Sequence, residues 1–455
     1  MGQRIDLTTG SITGKLIKLA IPIMGVSFIQ TAYSLIDMIW IGKIGSNAVA
    51  AVGTAGFFTW LAEAFIMITK LGVSIKVSQS IGSKDYKKTK KYITSALQMN
   101  TILALLYGFF LILFNKQLID FFTLGDAEVI SMARTYLVTV SAAMLFFFTG
   151  PVFSGIFNGL GDSKTPFIIN TIGLIFNIVF DPVLIFGLFG FPKLGVLGAA
   201  LATVVAQMVV TLCFIIVILK RKLDYFVLKV FAKPDWQVIR EITHIGLPGA
   251  IQSGLFTVFS MIIGRIVAHW GPVPIAAQKI GSQIESISWL TAGGFSTAVA
   301  TYVGQNYGAG KKERIGKGVK ITMLMALSVG LFSTVLLIFG RELLMRIFVS
   351  EIETIKVGMQ YLLILGYSQL FMCVEITITG AFNGMGRTYL PNFTSILLTG
   401  ARIPLAIILC RPLGLDGVWW SISITSIIKG IVLASTYLYL KHKDKLIRLD
   451  NKLII

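Results

Sequence analysis

From Leu16 to Leu440 the chain passes through twelve apolar segments that are nearly free of charge. They lie at roughly 16–41, 48–76, 92–115, 131–153, 164–188, 194–219, 240–268, 275–303, 318–340, 355–381, 390–410 and 415–440. A helix rises 1.5 Å per residue, so about 20 residues cross about 30 Å of hydrocarbon. Lipid offers no partner to an unpaired N–H or C=O, so runs of this length must bond within themselves as helices. Only 13% of the 455 residues are charged, against about 25% in a soluble domain. The bilayer is therefore the solvent this chain is built for. The first run is too long for the apolar stretch of a signal peptide and reads as a retained span.

The formal net charge is +19. In a soluble protein that suggests nucleic acid. Here the basic residues sit in clusters on alternate connections, the pattern of the positive-inside rule, which argues for no nucleic-acid partner. The clusters are Lys84, Lys87, Lys88, Lys90 and Lys91; Lys220, Arg221, Lys222, Lys229 and Lys233; Lys311, Lys312, Arg314 and Lys317; and Lys441, Lys443, Lys445 and Arg448. Opposite connections carry Asp120, Asp126, Glu128, Glu351 and Glu353. Both termini are expected on the cytoplasmic side of a cell membrane, the inner one in a bacterial cell.

The chain repeats itself. An offset of 226 takes Pro22 to Pro248, Gly45 to Gly271, Ala50 to Ala276, Gln79 to Gln305 and Gly82 to Gly308. An offset of 225 takes "FNGLGDSKTP" at Asn158 and Pro166 onto "FNGMGRTYLP" at Asn383 and Pro391. "LGVLGAA" at Leu194 then matches "LGLDGVW" at Leu413. Six spans per copy give both copies the same orientation, a parallel repeat about an axis along the membrane normal. The expected fold is all-α: twelve transmembrane helices in two pseudo-symmetric six-helix lobes. The lobes are 1–219 and 240–440, with a basic linker at 220–239 and a basic tail at 441–455. By analogy with such repeats, a cavity between lobes and alternating access are expected.

No nucleotide-binding module is present. "GSITGKL" at Gly10–Leu16 is one residue short of a P-loop and ends in leucine where magnesium needs a hydroxyl. Cys213, Cys373 and Cys410 lie in apolar runs as small fillers, and His244, His269 and His442 are far apart. No nucleophile–base pair or metal cluster points to an enzyme. An ion gradient remains as the energy source, with no cofactor.

A carboxylate in mid-membrane costs about 3 kcal/mol on insertion scales and marks a functional candidate. Asp37 shares a helix face with Gln30, Tyr33 and Ser34, four turns beyond Pro22, a bend or hinge point. Asn177 and Asp181 are i,i+4 neighbours, followed by Pro182; Thr203 and Gln207 form another polar pair. Spans one, five and six can thus converge oxygen ligands that suit a hard cation such as sodium, and two close carboxylates can instead share a proton. Glu285 and Glu375 lie in the second copy, where ion pairing with Arg265 and Arg402 is a sufficient account. Glu63 has Lys70 on its own helix face.

The sequence resembles the multidrug and toxic compound extrusion (MATE) family over nearly its whole length. The resemblance rests on "LAIPIM…YSLIDMIWIG", "FNGLGDSKTP…NIVFDPVLIFG…LGVLGAALATVVAQ", "STAVATYVGQNYGAG" and "GAFNGMGR". It implies export of organic cations in exchange for sodium ions or protons. In the branch with an N-lobe cation site, the ligand set resembles Asp37 with Tyr33, Asn177, Asp181 and Thr203. Another branch carries an acid in span seven; "AIQSGLFTVFSM" has none, and its span-ten acid corresponds to Glu375 shifted by one turn. Gln30, Ser34, Gln207, Glu285 and Glu375 are expected to line the substrate cavity. The partners are then a small cationic molecule and the bilayer, with the protein a monomer. The alternative is a lipid-linked saccharide flippase, which needs basic residues for a pyrophosphate; spans one, five and six supply none.

The orientation has a direct check. In a cysteine-free background, Lys88→Cys should be inaccessible to an impermeant thiol reagent in intact cells and react after lysis. Labelling from outside overturns the assignment.

Overall fold

The computed structural model describes residues 5–221, 225–226 and 233–443; Lys222, Lys229, Lys445 and Arg448 of the basic clusters lie outside the described residues. The regular elements among the described residues are all helical. In chain order they are α1 (Ile12–Gly42), α2 (Ser46–Gly82), α3 (Tyr86–Leu113), α4 (Asn115–Asp120), α5 (Ala127–Ala142), α6 (Met144–Leu160), α7 (Lys164–Phe186) and α8 (Val196–Lys220). The second half has α9 (Trp236–Ala268), α10 (Pro272–Gly308), α11 (Lys312–Phe339), α12 (Arg341–Phe348), α13 (Ile352–Gly366), α14 (Gln369–Gly384), α15 (Tyr389–Gly400), α16 (Arg402–Leu413) and α17 (Leu415–His442).

The expected twelve spans are recovered. Nine segments are long and apolar enough by themselves, with α15 and α16 forming one of them. Two more are bent pairs, α5 with α6 at 54° and α13 with α14 at 51°. The twelfth is α10, 37 residues long but more polar. At about 55 Å, α2 and α10 outreach the hydrocarbon and project beyond it. The repeat is visible in detail. Each half runs through two long helices, a third, a short helix, a bent pair and a final two spans. Large apolar side chains on the surface, such as Leu106, Phe109, Leu331 and Phe332, face the lipid.

Small residues set the packing inside each copy, as expected where lipid gives helices no hydrophobic reason to associate. On α6, a Cβ at Gly155 would come 2.9 Å from the Lys70 carbonyl of α2, and one at Gly159 2.5 Å from that of Ser74. The repeat carries both pairs across: Gly380 and Gly384 of α14 press on the Ser296 and Ala300 carbonyls of α10.

The chain divides into two compact units, but not at the linker. One contains Ile21–Ala250; the other contains Asp6–Ala20 and the chain from Ile251 onward. The start of α1 therefore belongs to the second unit and the start of α9 to the first. Both crossings lie beside a proline inside the helix, Pro22 and Pro248. Neither proline can donate to the carbonyl four residues back, Lys18 or His244, so the helix is weakest where it changes unit.

Each displaced segment is clamped. In the second unit Leu7 is fully buried. Its N–H donates to Gln305 Oε1 at 3.2 Å, and Asn306 Nδ2 donates to its carbonyl at 3.2 Å. Arg314 donates to the carbonyls of Leu7, Thr9 and Gly10. In the first unit Glu241 of α9 pairs with Lys76 Nζ at 2.7 Å and accepts from the Tyr92 hydroxyl at 2.6 Å. Asp235 pairs with Lys91 at 3.2 Å. The Val238 N–H and the Lys91 ammonium hold its carboxyl below the usual carboxylate range. Arg221 is not only a topological charge: it pairs with Asp162 at 2.7 Å and donates to Thr165 Oγ1 at 2.9 Å.

Glycine contact at the α2–α6 seam makes Gly159→Ala destabilising by about 1–3 kcal/mol, the usual range for overpacking. A thermal melt of the purified protein in detergent reads it. An unchanged midpoint would show that the seam can open at no cost.

Candidate cation site

The first unit gathers carboxylates from α1 and α7 beside a hydroxyl from α8. Asn177 and Asp181 are one turn apart on α7, and the Asn177 Nδ2 donates to Asp181 Oδ1 at 3.0 Å. Pro182 follows, leaving the Ile178 carbonyl without its intrahelical donor. Asp37 of α1 interacts with the side chains of Asp181, Asn177 and Thr203. Asn177, Asp181 and Thr203 are buried and Asp37 is partly so. Thr203 Oγ1 gives its proton to the Ala199 carbonyl of its own helix at 2.9 Å, so its lone pairs remain for the site.

Three buried oxygens here have no hydrogen-bond partner: Asp37 Oδ1, Asn177 Oδ1 and Asp181 Oδ2. Among the described residues no basic side chain forms an ion pair with either aspartate. Unpaired buried acceptors are rare because each one costs its full desolvation. The donor set is all oxygen, which fits a hard monovalent cation or a shared proton. No group of three or more His, Cys, Asp or Glu placed for a metal ion occurs among the described residues; two carboxylates, an amide and a hydroxyl stand here instead.

Tyr33 lies within range of both aspartates, yet its hydroxyl donates to the Gly173 carbonyl at 3.1 Å. It fastens α1 to α7 beside the two carboxylates. The residue the sequence reading did not single out is Tyr136 of α5, which is buried beside Asp37, Asp181 and Thr203. Its signal was in the repeat, since the offset of 225 takes Tyr136 to Tyr361, a second tyrosine beside an acid. Gln207 lies one turn along α8 near Gly150 of α6. Gln30 and Ser34 are exposed on α1, and Ser34 Oγ bonds the Gln30 carbonyl at 3.4 Å. The structure does not gather these three with the carboxylates.

The second unit differs in charge. Glu285 of α10 accepts from Gln369 Nε2 at 2.8 Å and from the Tyr361 hydroxyl at 3.3 Å. Glu375 of α14 forms a buried ion pair with Lys429 of α17 at 2.9 Å and accepts from Ser395 at 3.0 Å. The expected pairing of the glutamates with Arg265 and Arg402 is therefore not what forms. Arg265 is exposed, and Arg402 donates to Thr425 Oγ1 at 3.0 Å and Ser426 Oγ at 2.9 Å. Lys429, one turn beyond Thr425, reaches the carboxylate because α17 packs against α14. Glu63 is exposed and forms no ion pair with Lys70.

Two blocks of the chain, residues 22–183 and 248–408, match the MatE family model, and the chain belongs to that family. The blocks open on Pro22 and Pro248, so family and repeat coincide. Among curated relatives, a probable multidrug resistance protein NorM of Thermotoga maritima is 31% identical over 418 residues, 90% of this chain and 88% of its own length. A FAD transporter of Shewanella oneidensis is 25% identical over 448 residues, 95% of each. Among solved structures, an outward-facing multidrug resistance MATE transporter of the MOP superfamily has TM-score 0.88 at 22% identity, covering 97% of this chain and 99% of that one. The Vibrio cholerae MATE transporter VcmN has TM-score 0.88 at 19% identity, covering 96% and 98%. These structures share the fold of twelve helices in two lobes.

The Lys429–Glu375 pair makes a measurable demand. Removing one partner of a buried pair costs about 3–5 kcal/mol, because the other charge is left without compensation. Lys429→Met should lower the melting temperature strongly, and adding Glu375→Gln should restore most of the loss. Equal melting of the single and double variants would show that the pair is not coupled.

Proposed function

We propose that this MatE-family protein is a secondary antiporter that exports organic cations or drugs in exchange for protons or sodium ions. The observation that carries this reading is the set of three unpartnered oxygens on Asp37, Asn177 and Asp181, two of them from carboxylates with no basic partner. Binding a cation or a proton relieves that buried charge. The names of the relatives, multidrug resistance proteins among them, support the substrate class. Asp37, Asn177, Asp181 and Thr203 hold the coupling ion, with Tyr33 and Tyr136 ordering the site. Within the first unit Gln30, Ser34 and Gln207, and within the second Glu285 and Glu375, are the polar side chains offered to the substrate. Both termini face the cytoplasm.

Coupling follows from where the site sits. Asp37 lies on the part of α1 beyond Pro22, within the first unit, whereas Asp6–Ala20 belong to the second. Occupying the site changes the packing of α1 against α7 and α8, and Pro22 is the hinge that lets the helix respond. An ion shifts such an equilibrium only by its differential affinity; a swing from 1:99 to 99:1 needs about 5.5 kcal/mol. Each inward charge contributes about 2.3 kcal/mol per 100 mV. Exchange of two ions for one monovalent drug then draws on the voltage, and one-for-one exchange does not.

The test is efflux from proteoliposomes under a pH gradient alone and under a sodium gradient alone. Asp37→Asn and Asp181→Asn should each lose gradient-driven efflux while keeping expression and melting behaviour. If both still couple transport and Glu285→Gln or Glu375→Gln does not, the second unit is the engine and the assignment is wrong.

A further inference from the structure

The position that holds an amide in the first unit holds a guanidinium in the second. The offset of 225 takes Asn177 to Arg402 and Asp181 to Ala406, and 226 takes Asp37 to Ile263. The cation ligands are thus lost from the second copy. What replaces them stands where two helical segments of a single span meet. The first copy has one continuous helix, α7, where the second has α15 ending at Gly400 and α16 starting at Arg402. Pro404 has no N–H to give the Gly400 carbonyl, so the ladder opens at that turn.

Arg402 is only 8% exposed. Its Nε and Nη2 are committed to the Thr425 and Ser426 hydroxyls, which fix the guanidinium plane. Its Nη1 makes no hydrogen bond to any described residue. Among the described residues no carboxylate is in ion-pair contact with it: Glu375 is held by Lys429 and Ser395, Glu285 by Gln369 and Tyr361, and both act on Arg402 only through space. One turn before it, Thr399 Oγ1 is buried without a partner. A guanidinium presents planar N–H donors matched to a carboxylate or phosphate, and with one edge fixed by hydroxyls the buried Nη1 side is left to read such a group.

We propose that Arg402 binds the acidic group, a carboxylate or phosphate, of a transported molecule, so that the second unit carries an anion subsite where the first carries the cation site. Thr399 lies one turn before Arg402, its buried Oγ1 without a partner, and supplies a hydroxyl to the second oxygen. Glu285, within electrostatic range of Arg402, favours molecules that also carry a positive group. The inference rests on the transport reading for its use but not for its detection, because binding is measurable without flux.

The probes are rhodamine 110, which has a free carboxyl group, and rhodamine 123, its methyl ester. Equilibrium binding to the purified protein in a neutral detergent compares wild type, Arg402→Gln and Arg402→Lys, with a thermal melt for each. Loss of a charge-assisted hydrogen bond predicts that Arg402→Gln binds the acid about tenfold more weakly or worse, with ester binding changed by less than about twofold. Arg402→Lys should fall between, keeping the charge without the fork. No acid binding by the wild type, equal loss of acid and ester, or no loss of either overturns the proposal. So does an Arg402→Gln effect confined to stabilisation by added phosphatidylglycerol, which assigns the arginine to a lipid headgroup. Gradient-driven efflux of rhodamine 123 by the wild type tests transport separately; its failure leaves the binding comparison intact.

Discussion

In hydrocarbon a backbone N–H or C=O has no partner except another part of the same protein, and this condition governs every level of the structure. It makes each long apolar run a helix. It also makes every departure from a helix informative, because the departure must be sheltered. The prolines inside spans fall where the protein needs something other than a rod. Pro22 and Pro248 lie where α1 and α9 pass from one compact unit to the other. Pro182 follows Asp181 of the candidate cation site, and Pro404 removes one hydrogen bond from the span that carries Arg402.

The same low-polarity medium sets the charge logic. Two copies of one six-helix unit arrange their buried charge in opposite ways. Among the described residues the first leaves Asp37 and Asp181 without a base and with oxygens unpaired, the arrangement on which the proposed binding of a proton or cation rests. The second pairs one acid with a base, Glu375 with Lys429, holds Glu285 by an amide and a phenol, and keeps Arg402 on hydroxyls alone. The proposed coupling role thus falls to the first lobe, although both kept the tyrosine that lies beside the acid. Duplication supplied the scaffold twice, and a few substitutions at the matched positions separated the roles.

Association between spans cannot come from the hydrophobic effect, since lipid tails are as apolar as leucine. It comes from close backbone approach at Gly155 and Gly159, repeated at Gly380 and Gly384, and from polar clamps on the helix ends that project from the bilayer. The clamps on Leu7–Gly10 and on Asp235–Glu241 hold the exchanged starts of α1 and α9, so that each unit is completed by chain from the other half.

The sequence by itself determined the spans, the repeat and the faces of single helices. Apolar length, an integer offset and i,i+4 spacing are local properties, so Asp37, Asn177, Asp181 and Thr203 stood out before any contact was known. Which helices face each other across a bundle is not a local property. Only the tertiary structure showed that α5 brings Tyr136 to the carboxylates and that Tyr33 spends its hydroxyl on the Gly173 carbonyl. Likewise, Lys429 and not Arg402 reaches Glu375. A side chain's partner depends on the rotation and separation of two packed helices, which glycine contacts and helix bends set jointly, and no spacing along one chain encodes that geometry.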